Sequence, residues 1–133
     1  TDCDFVLICN DDIEIRGFGW EDIMLEQFNK ENVGIVGPHS SMQHGRYSAM
    51  WFTLIKKEVF DKIGFLNEEL AIFSQDILFG YRALKEGYET AFVDIPVFHA
   101  VSQSTGRLEN EEQMKKDAKA VFKNLTGVDH DEC

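Results

Sequence analysis

Basic residues are scarce in this chain: 13 Lys and Arg stand against 24 Asp and Glu, a formal net charge of −11 over 133 residues. A surface of that sign repels nucleic acid and anionic membrane unless basic side chains cluster locally. The densest basic pairs, Lys56-Lys57 and Lys115-Lys116, both have acidic neighbours. Long apolar runs are missing too. The longest, Phe5–Cys9 and residues 49–55, fall far short of the roughly 20 residues that a transmembrane helix needs. Cysteine is sparse and odd in number (Cys3, Cys9, Cys133), with no C-x-x-C pair. That makes a poor disulfide framework and a poor zinc site, and points to reduced thiols in an intracellular, cytoplasmic protein. With only two prolines, 44% hydrophobic and 12% aromatic residues, the composition is that of a globular chain rather than a disordered one.

The length is that of one domain, about 150 residues being typical. We expect a single α/β domain over residues 1–133, with a core over 1–105 and a C-terminal helix and tail over 106–133. The chain opens at Thr1 with neither Met nor a signal peptide, which suggests a cut or processed segment. Asp129-His130-Asp131-Glu132-Cys133 holds metal-ligand residue types, but a charged end of this kind is expected to fray.

Phe5-Val6-Leu7-Ile8-Cys9 is an unbroken apolar run ending in Asn10-Asp11-Asp12, the pattern of a central strand covered on both faces. Trp20, Ile23, Met24 and Phe28 recur at helical spacing and predict a helix that stops near Asn32. A second strand follows at residues 33–37, halted by Pro38. Residues 39–48 are polar and aperiodic, a loop that a ligand could shape. A third strand at 49–55 leads into a short helix with Val59, Phe60 and Ile63, closed by Gly64. After a connection over 65–73, Ser74 is a good N-cap for a helix through Glu86, with Gly87 past its end. Residues 90–95 predict a fourth strand, stopped by Pro96. Asn110 and Gln113 have capping-box spacing. Met114, Ala118, Val121, Phe122 and Leu125 stripe a last helix closed by Gly127. Strands alternating with helices, without internal repeats, predict an α/β sandwich with a mostly parallel or mixed sheet.

Three polar clusters fall where elements begin or end: Asn10-Asp11-Asp12 after the first strand, Gln75-Asp76 at a helix start, and His99 just past the last strand. Open α/β sheets bind ligands at the carboxyl ends of their strands. A loop carboxylate there suits Mg²⁺ or Mn²⁺, which take oxygen ligands and bridge to substrate phosphates. A His adds a nitrogen ligand and tilts the choice toward Mn²⁺. A second carboxylate away from the metal can serve as general base. Each feature also has a plain structural explanation: Asp-Asp as a turn, Asp76 as a complement to the helix dipole, and His99 as a packed side chain.

The order of these motifs resembles the second half of family-2, GT-A-fold glycosyltransferases. Phe5 to Ile15 resembles the strand leading into the D-x-D motif, and Gly19-Trp20 the pair that opens the next helix. Residues 33–38 are similar to the family's "VGIVGP" strand. Residues 52–65, with Lys56-Lys57-Glu58-Val59-Phe60 and Ile63-Gly64-Phe65, are similar to "R-R-E-V-F-x-x-I-G-G-F-D-E". Gln75-Asp76 stands where the family has Glu-Asp, followed by Tyr81-Arg82, Lys85-Glu86-Gly87-Tyr88 and residues 96–99. The likeness covers about residues 4–100.

That resemblance implies a GT-A-like α/β fold with a mixed, mostly parallel sheet flanked by helices. It implies a metal-dependent inverting glycosyltransferase that moves a sugar from a UDP- or GDP-sugar donor to a hydroxyl of a glycan, lipid or protein acceptor. Asn10, Asp11 and Asp12 would form the D-x-D equivalent toward the donor, Asp12 and His99 would bind Mn²⁺ or Mg²⁺, and Asp76 would be the catalytic base. The chain departs from the pattern at Asn10 (for Asp), Gln75 (for an acidic residue) and Asn67 (for the Asp of "F-D-E"), and it lacks the Gln-x-x-Arg-Trp motif of processive enzymes. The nucleotide-binding strands that precede D-x-D in the family are expected to be missing. Glu21-Asp22 is a competing acidic pair, set inside the helix after D-x-D. Two other readings remain open: a catalytically inactive binding or interaction module on the same fold, and a metal-dependent nucleotidyltransferase or phosphohydrolase, which would need a basic phosphate clamp.

Overall fold

The computed structural model describes residues 2–41, 45–68, 74–100 and 111–133. In chain order these form β1 (Phe5–Cys9), β2 (Ile13–Ile15), α1 (Trp20–Gln27), β3 (Val33–Gly37), β4 (Phe52–Lys56), α2 (Lys57–Ile63), α3 (Gln75–Lys85), β5 (Glu89–Phe92), β6 (Val97–His99) and α4 (Glu111–Thr126), with a short 3-10 helix at His130–Glu132. The expected α/β class holds.

The four-stranded sheet runs β1-β4-β3-β5, and a separate ribbon pairs β2 with β6. β1, β3 and β5 run in one direction and β4 against them, so two of the sheet's three pairings are antiparallel and one is parallel. The sheet is therefore mixed, as expected, but not mostly parallel, because β4 inserts between β1 and β3 and runs against both. β3 is buried at all five positions, as a Val/Ile/Gly run covered on both faces requires. One side of the sheet packs Met24 of α1 against Val36, Phe52 and Leu54; the other packs Val59, Phe60, Phe79 and Ala83 of α2 and α3 against Ile35 and Ile55. A third cluster joins Ile77 and Leu78 of α3 to Ala118 and Phe122 of α4, with Tyr47 between. Tyr47 reaches that position because Gly80 presents no side chain: a Cβ there would lie 2.5 Å from the Tyr47 ring.

Several boundaries differ from the sequence expectation. α1 ends at Gln27, not near Asn32, because Phe28, Asn29 and Lys30 donate to carbonyls three residues back and tighten the last turn. Asn32 then takes φ 69°, which a helix cannot continue. β4 begins at Phe52 rather than residue 49, since Ser48 bridges Ser40 and the Ala49 N–H donates to the His39 carbonyl, drawing the chain into a turn. β5 stops at Phe92, and the chain re-forms as β6 beyond Pro96, so His99 closes a strand instead of following one. Ser74 occupies the N-cap of α3 in a left-handed conformation, but its hydroxyl makes no capping bond. The tail does not fray: His130 is only 3% exposed and meets the Phe122 ring edge-on. α4 ends as expected at Gly127, whose φ of 74° suits a residue without Cβ. Asn110, half of the capping-box expectation, lies outside the described residues. Among those described, no helix is long and apolar enough to cross a membrane. Cys3, Cys9 and Cys133 are free thiols.

Candidate functional site

The site is built where β1 ends. Cys9 pairs with Phe52, so the next residue, Asn10, falls opposite Trp51, and its N–H donates to the Trp51 carbonyl at 2.9 Å. Asp11 and Asp12 turn the chain into β2. β2 then pairs with β6 so that Ile13 lies opposite His99, and the Ala100 N–H donates to the Asp12 carbonyl at 3.1 Å. This ribbon register brings together two residues far apart in the chain.

His99 Nε2 lies 3.0 Å from Asp12 Oδ1, with the two side chains 21% and 33% exposed. The contact meets an ion-pair distance but not hydrogen-bond alignment: both atoms are buried and neither has a hydrogen-bond partner. At that misalignment the pair gains little as a hydrogen bond, whose strength falls steeply off axis. Two adjacent ligands of an octahedral cation, each about 2.1 Å from the metal, stand about 3 Å apart. Two orphaned polar atoms at that spacing, one carboxylate oxygen and one imidazole nitrogen, fit a Mn²⁺-type ion. Among the described residues, no group of three or more His, Cys, Asp or Glu side chains could hold a metal ion. Asp12 and His99 offer two donors only, so a cation held there would need substrate phosphates or water to complete its shell.

Asn10 and Asp11 are exposed, and their side chains make no hydrogen bond among the described residues. Asp76 sits in the first turn of α3, where its Oδ1 accepts the Ile77 N–H at 2.9 Å. That bond satisfies one of the helix's free N-terminal donors and leaves the second carboxylate oxygen available. No hydrogen bond or ion pair among the described residues links Asp76 to Asp12 or His99. Gln75 has a different task from an acidic residue. Its Oε1 accepts the Asn67 N–H at 3.1 Å, and its Nε2 donates to the Asn67 carbonyl, clamping the connection onto α3. A Glu could supply only the acceptor half of that clamp. Glu21 and Asp22 lie exposed in the first turn of α1. His39 is exposed, with its ring centroid 6.1 Å from that of Trp51, whereas His44 lies outside the described residues. Arg46 lines a cavity of about 140 Å³ with Tyr47, Gly80 and Tyr88.

Trp51 escaped the sequence reading. Its indole stacks on the His99 imidazole, with centroids 5.1 Å apart and planes 11° apart. The available signal was a lone Trp at the foot of a strand that follows a polar loop. Comparison with known protein families, curated proteins and solved structures gives no match.

Proposed function

We propose that the chain carries the catalytic and acceptor portion of a metal-dependent inverting glycosyltransferase that uses a nucleotide-sugar donor. The observation that carries this reading is the apposition of Asp12 Oδ1 and His99 Nε2, both buried and without hydrogen bonds, at the end of β1. The likeness of residues 4–100 to family-2 enzymes supports it. Asp12 and His99 hold the cation, Mn²⁺ or Mg²⁺, and Asn10 and Asp11 face the donor. Bound there, the cation supplies charge neutralisation for the departing diphosphate. Asp76 takes the proton of the acceptor hydroxyl, whose oxygen attacks the anomeric carbon. The bond from that carbon to the diphosphate oxygen breaks with its electron pair on the leaving group, and the configuration inverts. A cytoplasmic location accompanies this reading.

Isothermal calorimetry with UDP- and GDP-sugars, each with and without Mn²⁺, tests it. Metal-dependent binding of one donor, lost in Asp12→Ala, is the expected result. Absence of metal-dependent heat with every donor refutes it. One observation favours the alternative, an inactive binding module on the same fold: Gln75 is committed to a structural clamp and Asn10 is uncharged, so the site holds fewer carboxylates than the family pattern. Donor binding without sugar transfer would select that alternative.

A further inference from the structure

A metal-binding imidazole is ordinarily held in place by a hydrogen bond from its second ring nitrogen to a carboxylate, carbonyl or water. Among the described residues His99 Nε2 is buried without a hydrogen bond, and what holds the ring is a contact on its face. The residue also stands at the end of a three-residue strand in a two-stranded ribbon, a weak support for a ring that must keep one orientation. What touches its face is Trp51, nearly coplanar at 5.1 Å.

Trp51 is itself well anchored. It packs on the core that contains Met24, Val36 and Phe52, and it immediately precedes β4, the strand between β1 and β3. Its carbonyl holds the Asn10 N–H. One residue thus contacts both arms of the site: the backbone at the start of the acidic loop and the imidazole opposite Asp12. From this geometry we propose that Trp51 is the positioning residue of the cation site, its indole fixing the plane of the His99 ring. The inference rests on Asp12 and His99 being cation ligands.

The test is Mn²⁺ binding followed by electron paramagnetic resonance, with no sugar transfer involved, in the wild type and in Trp51→Ala, Trp51→Phe, Asp12→Ala and His99→Ala. Orienting partners of metal ligands are typically worth about 10–100-fold in affinity. Trp51→Ala should therefore weaken Mn²⁺ at least about 10-fold, and Trp51→Phe, which keeps a stacking face, should recover most of that loss. Wild-type affinity in Trp51→Ala, with affinity lost in Asp12→Ala, overturns the positioning role and leaves the ligand assignment standing. Equal losses in Trp51→Ala and Trp51→Phe overturn the stacking argument. Wild-type affinity in both Asp12→Ala and His99→Ala overturns the ligand assignment and this inference with it. Should Trp51→Ala fail to fold, proton NMR of the wild type decides: His99 ring protons, assigned by their loss in His99→Gln, should be shifted upfield by the indole ring current. Resonances at ordinary positions would overturn the stack.

Discussion

Replacing Gly80 with Ala tests how the loop after residue 44 is fastened to the helix that begins at Gln75. Within an exposed helix, Gly to Ala stabilises by about 1 kcal/mol through backbone entropy. Here the new Cβ would sit 2.5 Å from Tyr47 Cδ1 and 2.9 Å from Cγ, and Tyr47 is 2% exposed, so its ring has little room to retreat. Overpacking of this kind costs about 1–3 kcal/mol. Subtracting the helix gain leaves a net loss of about 1 kcal/mol. For 133 residues at about 2.1 cal/mol/K each, the unfolding entropy is about 0.28 kcal/mol/K, and the melting temperature should drop by about 4 °C. The discriminating comparison repeats the substitution in a Tyr47→Ala background, with an osmolyte in all samples because removing the ring costs several kcal/mol on its own. Without the ring, only the closer approach of residue 47's Cβ, 3.0 Å away, offsets the helix gain, and Gly80→Ala should raise the melting temperature by up to about 4 °C. Scanning calorimetry reads both shifts. An increase in both backgrounds would show that Tyr47 does not pack against α3 as described.

The alkaline behaviour of Tyr47 follows from the same site. Burial, reinforced by the electrostatic influence of Cys133, pushes its pKa up to about 12. Between pH 10 and 12 the unfolded chain surrenders this proton while the folded one keeps it, so stability present below pH 10 declines across that window by up to about 2–3 kcal/mol. Urea titrations at pH 9 and 11 should show that decline in the wild type and a smaller one in Tyr47→Phe; equal declines would refute it. Gln75→Glu removes the donor to the Asn67 carbonyl and sets a carboxylate against it, and should cost about 1–3 kcal/mol. An unchanged urea midpoint at pH 7 would show that the clamp contributes nothing. If the proposed function holds, Asp76→Asn should lower kcat about 10²–10⁴-fold with donor affinity nearly unchanged. Transfer at the wild-type rate would remove Asp76 as base.

The parts of the fold legible in the sequence are those whose apolar pattern persists over five or more residues. The runs at Phe5–Cys9 and Val33–Gly37 became β1 and β3, and the stripe on Ala118 and Phe122 became the buried face of α4. β1, however, is an edge strand with no fully buried residue and not the covered central strand its apolar run predicts, because among the described residues only β4 flanks it. β2 and β6 span three residues each, too short for any period to show, yet they set the register of the site. Spacing alone therefore could not pair His99 with Asp12; the position of both at strand ends, and the resemblance to a family, suggested only that they share one rim. Ser74 illustrates a second limit. Its residue type predicts a hydroxyl cap, but the connection arrives with φ 67°, and Asp76 binds a first-turn amide instead. The tail reads as frayed from its charges, while packing of His130 against Phe122 decides its fate. Gln75 looked like a lost carboxylate and is a bidentate backbone clamp, a role that depends on where residue 67 lies in space.

Asp12 and His99 are separated by 99 − 12 = 87 positions and meet only through the β2–β6 ribbon. Closing so long a loop is entropically costly and comes late in assembly, after the local helices and the β1–β4 pairing can form. An unfolded or half-folded chain would therefore lack the assembled pair. Any cation that uses this pair binds the finished structure alone, and mass action makes it a stabiliser: at a hundred times its dissociation constant it adds about 2.7 kcal/mol. The melting temperature would then depend on the free concentration of that ion, and a chelator would lower it without touching a single covalent bond.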